Sequence, residues 1–229
     1  MENIFIILLG LTMLYIASTS RLLGHINMLI AQGILLFLIC IGGLAGEEWF
    51  NFGVFSNTKE NLSHILGIAF IIIETLGVKS IIIPVFLKKV LNKTHTHRDS
   101  GANIPHFYAL VISSLILFGG FMLANVHMSS FKLVSPLIFG VSISIIITSL
   151  WMITIKHTVL SNVISFITME NGIFLLSLAI AKEMPIIVNL GVLLDIFIAV
   201  FILGMLVLEI DDKFSDLEVS QLSDLKDYE

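Results

Sequence analysis

The sequence predicts an all-α, polytopic integral membrane protein with about seven transmembrane helices. Of its 229 residues 57% are hydrophobic and only 13% charged. The apolar residues fall in runs of about twenty, the length needed to cross a hydrocarbon core of about 30 Å at a rise of about 1.5 Å per residue. The period-two alternation of barrel strands is absent, and backbone groups in lipid must be satisfied within each segment, which leaves the helix as the spanning form. No separate soluble domain fits. Residues 1–208 form the transmembrane domain, and residues 209–229 an acidic tail.

Seven apolar runs can be marked along the chain, at about 3–20, 26–46, 64–87, 107–126, 133–154, 160–181 and 185–208. The first follows Glu2 without the basic flank of a secretory signal, so it is expected to be a retained helix. The second holds Gln32 and the single cysteine, Cys40, and the third holds Glu74, Lys79 and Pro84. The sixth carries Glu170 and the seventh Asp195, each about ten residues from either end of its run and therefore at mid-membrane depth. Glycines in IGGLAG and LFGG are expected to let helices approach closely; no basic phosphate-binding loop follows them.

With seven spans, the side bearing the 21–25, 88–106 and 155–159 connections and the C-terminus holds Arg21, Lys88, Lys89, Lys93, Arg98, Lys156, Lys213 and Lys226. The other side holds Lys59, Lys132 and Lys182, so the positive-inside rule puts the N-terminus outside and the C-terminus in the cytoplasm. Residues 209–229 contain eight acids and two lysines. An anionic leaflet repels such a tail, leaving it solvated or held on a basic protein surface. Ser215 and Glu218 have capping-box spacing, and Val219, Leu222 and Leu225 form a short apolar stripe that favours docking on a partner; a frayed tail is the alternative.

Several chemistries are excluded. One cysteine gives no disulfide framework, no CxxC pair and no iron–sulfur ligation. His25, His64, His106, His127 and His157 sit at run ends or in connections, and His95 and His97 lie in a basic loop. No haem or zinc site is expected from that distribution. No cofactor in this chain and no nucleic-acid partner is expected; membrane lipid is.

Ionisable groups at depth are costly, about 2.5–3.5 kcal/mol each on insertion scales, and mark ion or proton paths. Glu74, Lys79, Glu170 and Asp195 make three acids and one base that cannot all be charged and unpaired. Such a set can pass protons as its partners move. On an α-helix Glu74 and Lys79 would lie about 140° apart and face different neighbours. Lys79 is too deep to snorkel and needs a carboxylate, water or a partner subunit. Ser177, seven residues after Glu170, shares its face, with Asn171 and Thr168 on an adjacent one. For these, and for Asn189 and Gln32, interhelical packing worth about 0.6 kcal/mol each is the preferred role, and lining of a polar path the alternative.

The stretches ITMENGIFLLSLA and VNLGVLLDIFIAVFILGMLV, followed by a tail ending LEVSQLSDLK, resemble the hydrogenase-4 component E family. The resemblance is strong over 160–226, reaches Lys79 in VKSIIIP, and touches Arg21, Leu22 and Gln32 more faintly. That family is related to the small K-type subunit of respiratory complex I and to the C-type subunit of multisubunit cation/proton antiporters. By position Glu170 matches the first helix acid of the K-type subunit and Asp195 the second, where Asp stands in place of the usual Glu. Lys79 matches a lysine of the family's middle region. Glu74 falls where a small or hydroxyl residue is usual, so its role rests on burial alone.

The resemblance implies a subunit of a membrane-bound, complex I-like assembly of the group 4 [NiFe] hydrogenase or formate hydrogenlyase type. A nickel–iron centre and iron–sulfur clusters would lie in partner subunits forming a cytoplasmic redox arm, beside antiporter-like membrane subunits. Two other readings stand: a cation/proton antiporter subunit or independent transporter, and a passive assembly scaffold. For a self-sufficient transporter no inverted repeat is visible, and Pro84, Pro136 and Pro185 do not supply matching broken helices.

Overall fold

A computed structural model describes residues 2–46, 73–94, 104–127, 136–156 and 158–180. Every element there is helical: α1 Glu2–Ser18, α2 Leu22–Gly46, a π-wound segment Ile73–Ile82, α3 Ile83–Thr94, α4 His106–His127, α5 Pro136–Ile155 and α6 Val159–Ile180. Among the described residues four stretches are long and apolar enough to span a membrane: Leu22–Gly42, His106–Asn125, Pro136–Ile155 and Leu160–Ala179. Asn3–Ser18 is apolar but shorter. The chain is an all-α membrane protein. The seventh apolar run, the acidic tail and the first part of the third run lie outside the described residues.

Helix α5 packs along α6 and α4, while α1 packs on α2, α4 and α5. On its other side α2 meets α6, the π segment and α3. Polarity is inverted relative to a water-soluble bundle. On α5, Ser142, Ser144, Thr148 and Ser149 are buried while Ile147 and Leu150 are exposed; on α4, Ser113 is buried while Leu115, Phe118 and Met122 are exposed. Lipid accepts the apolar faces, and hydroxyls turn inward to find partners.

Close crossings depend on small residues. A Cβ on Gly140 would stand 3.1 Å from the Gly120 carbonyl oxygen and 3.3 Å from Phe121 Cα. Ser144 on the next turn donates from Oγ to the Gly140 carbonyl at 2.7 Å and reaches the Ile116 carbonyl of α4 at 3.3 Å. Gly120, the last residue of LFGG, therefore serves helix contact as its sequence setting implied.

Two connections meet at one end of the bundle. Lys156 Nζ, just past α5, donates to the Thr19 carbonyl at 3.4 Å, and His25 Nε2 of α2 lies 2.9 Å from the same oxygen. Both side chains are buried. The 21–25 and 155–159 connections thus share a side, as an alternating topology requires. Thr158 opens α6: the Ser161 amide donates to its Oγ1 at 3.4 Å, the geometry of an N-cap.

The third run departs from its sequence reading in extent. Its helix continues to Thr94, so Lys88 and Lys89 ride on α3 and not in a connection beginning at residue 88. The reason is a buried stripe, Ile83, Leu87, Val90 and Leu91, that carries helical spacing seven residues beyond Pro84. Pro84 stands at the second position of α3, inside a continuous helix, where its missing N–H interrupts the ladder and π winding gives way to α winding.

Candidate functional site: a buried lysine–glutamate pair

The buried face of the π segment is its polar face. Thr75, Lys79 and Ser80 point inward, while Ile73, Ile81 and Ile82 are exposed. On α6, Glu170, Asn171 and Phe174 are likewise buried. These faces meet with Lys79 Nζ 3.9 Å from Glu170 Oε1, each side chain about 2% exposed. The same ammonium lies 4.7 Å from the centroid of the Phe174 ring, within cation–π range. Lys79 and Glu170 take part in further polar contacts as well.

At 3.9 Å the pair attracts as opposite charges, but the separation exceeds a direct hydrogen bond. Two unit charges about 4 Å apart gain about 4 kcal/mol at an effective dielectric near 20, offset by the several kcal/mol that each ion loses on leaving water. Such a pair is held by its surroundings, and a proton moving between the partners neutralises both.

Helix α2 supplies the surroundings with two consecutive residues. Gln32 Oε1 accepts a hydrogen bond from Asn171 Nδ2 at 3.0 Å, fixing α6 one residue from Glu170. Gly33 admits the π segment, since a Cβ there would stand 3.0 Å from Ser80 Cβ and 3.1 Å from Ser80 Cα. Ser80 Oγ reaches back to the Ile30 carbonyl at 3.5 Å, one residue from Lys79. Acid and base are thus each positioned through a chain neighbour that contacts α2.

The structure brings together Lys79, Glu170, Gln32 and Asn171 from the sequence-derived set. Ser177 is buried but donates to the Phe174 carbonyl of its own helix at 2.7 Å, and Thr168 to the Ile164 carbonyl at 2.9 Å, so both hydroxyls are occupied locally. Asp195 and Asn189 lie outside the described residues, as does the Glu74 side chain. The backbone at position 74 corrects one expectation: the segment is π-wound, so its i→i+5 pattern stacks position 79 about one turn from position 74 and the angle of about 140° for an α-helix does not apply.

Sequence reasoning missed Phe174, Ser80 and Gly33. Phe174 was findable, standing four residues after Glu170 on one helix face. Gly33 and Ser80 depend on which helices cross. Among the described residues no three His, Cys, Asp or Glu side chains gather as a metal site requires.

Fold and site together define a helical membrane protein with a buried acid–base pair at a three-way helix junction. No family model and no solved structure matches the chain. It is similar to the uncharacterized protein Rv0085 of Mycobacterium tuberculosis (strain ATCC 25618 / H37Rv), with 22% identity over 165 residues, 68% of this chain and 71% of that protein.

Proposed function

We propose that this chain is a membrane subunit of a complex I-like, hydrogenase-4-type assembly, in which Glu170 and Lys79 take part in proton translocation coupled to electron transfer. The observation that carries the reading is the Lys79–Glu170 pair, an acid and a base buried at 3.9 Å inside a membrane protein. The likeness of the MENG and DIFIAV segments to hydrogenase-4 component E supplies the assembly. Redox events in a cytoplasmic arm shift charge at the subunit interface and change the proton affinity of Glu170. Asp195, in the next apolar run of the sequence, receives or supplies the proton, and antiporter-like neighbours carry further routes. Nickel–iron and iron–sulfur centres belong to partner subunits. The chain sits in the cytoplasmic membrane with its N-terminus outside and C-terminus inside.

A second reading, a passive scaffold, draws on the Gln32–Asn171 bond, which joins α2 to α6 without any titratable group. Purification of the tagged chain from gently solubilised membranes separates the two. Antiporter-like subunits and a metal-containing arm should co-purify with hydrogen- or formate-dependent electron transfer, and Glu170→Gln should leave that composition intact while abolishing coupled proton movement. Undiminished proton movement in the intact variant complex supports the scaffold.

A further inference from the structure

On α6, Ser161, Ser165 and Thr168 recur at spacings of four and three residues, share one face and are all buried. Gly172 continues that face, and a Cβ there would lie 2.9 Å from Ile145 Cγ2 and 3.0 Å from Ile146 Cγ1, so the face looks onto α5. The two helices pack against each other and, with only three residues between Ile155 and Val159, run antiparallel. One turn back from Gly172 to Thr168 therefore matches one turn forward from Ile145 to Ser149. Ser149 stands opposite Thr168, Thr148 lies beside it on the side of Val141, which meets Gly10 of α1, and Met152 stands near the level of Ser165.

This hydroxyl seam starts at the bundle end beside Lys156, where Thr158 Oγ1 donates to Ser161 Oγ at 2.7 Å. From Ser161 to Thr168 it runs about 10 Å inward. Asn171, three residues beyond Thr168, leads around the helix to Gln32 and to the level of Glu170.

Hydrogen bonding along the seam is uneven. Near its outer end Ser165 Oγ donates to the Ser161 carbonyl at 2.8 Å. At its inner end Thr148 Oγ1, Ser149 Oγ, Asn171 Oδ1 and Gln32 Nε2 are buried without a protein hydrogen-bond partner. Ser142 and Ser144 on the same helix do bond backbone carbonyls. Orphaned buried groups cost about 1–3 kcal/mol each. Water, both donor and acceptor, suits a cluster of hydroxyls, one amide N–H and one amide oxygen, and a buried water needs about 2–4 such partners.

We propose that the α5–α6 seam is a water-binding access path from the Lys156 end to the Gln32–Asn171 pair. The path stands without the function proposed above. Thr148 and Ser149 hold the innermost waters, and Thr168 keeps its hydroxyl at the same level.

Radiolytic hydroxyl-radical labelling in ¹⁸O water, on the full-length chain in native membranes, tests the path. Met152 is the reporter and Met13 the control, both buried at 1% exposure or less. Met152 should incorporate ¹⁸O and Met13 should not, and Thr148→Val with Ser149→Ala should abolish the Met152 signal. Equal, background labelling of both methionines overturns the path, as does labelling of Met152 that survives the double substitution. Should the double variant expose Met13 by misfolding, Ser149→Ala alone is judged by the same outcomes.

Discussion

The Lys79 ammonium and the Glu170 carboxylate stand 3.9 Å apart, both nearly inaccessible, on segments joined to each other through α2. Neither charge reaches bulk water. Each is therefore stabilised chiefly by what the bundle places around it, and removal of one partner has a different consequence from removal of both.

Breaking a buried pair costs about 3–5 kcal/mol, whereas replacing both partners with neutral groups of similar shape is often neutral. Glu170→Gln and Lys79→Met alone should each lower the unfolding midpoint of the detergent-solubilised protein. The combined variant should recover much of the loss. A double-mutant cycle read by thermal unfolding checks this, and strictly additive losses would mean the pair does not interact.

Gly33 lets the π segment reach α2, with the Ser80 backbone 3.1 Å from where a Cβ would sit. Gly33→Val should cost about 1–3 kcal/mol through overpacking and push Lys79 away from Glu170. Loss of coupling in a variant that still assembles is the expected outcome. Gly119 has nothing within 4 Å of its Cβ position, so Gly119→Ala serves as the control and should be tolerated.

The Gln32–Asn171 bond at 3.0 Å is buried and joins two helices. Interhelical hydrogen bonds in membranes average about 0.6 kcal/mol, so Gln32→Met should lower stability only slightly. Its effect on proton coupling should be larger than its effect on unfolding, because the amide fixes the residue next to Glu170. Comparing the two readouts on one preparation tests this.

Orientation can be read with single cysteines in a Cys40→Ser background. Arg21 and Asn125 are exposed, near opposite ends of helical spans. Arg21→Cys should react with an impermeant maleimide only from the cytoplasmic side, and Asn125→Cys only from outside. Reaction of both from the same side would contradict the topology.

The class of fold was legible from the twenty-residue apolar runs, because lipid forces each spanning segment to satisfy its own backbone. Glu170 and Lys79 were legible for the same reason, since charged groups stand out against an apolar run. Their pairing was not, because it depends on α2 holding both segments. Gly33 looks like any glycine in a helix until Ser80 is placed against it. The π winding of 73–82 was equally hidden, since periodicity arguments assume 3.6 residues per turn, and here the buried positions Thr75, Lys79, Ser80 and Ile83 stretch that spacing. The extent of α3 went unread because Lys88 and Lys89 look like the end of a span, although Leu87, Val90 and Leu91 carry the stripe on.

The most direct test of the central claim is proton movement across membranes containing the assembled complex, measured with Glu170→Gln against wild type while electron transfer is driven. The expected result is retained assembly and electron transfer with coupled proton movement abolished. Proton movement equal to wild type in a complex of unchanged composition would contradict the claim that the Lys79–Glu170 pair carries protons.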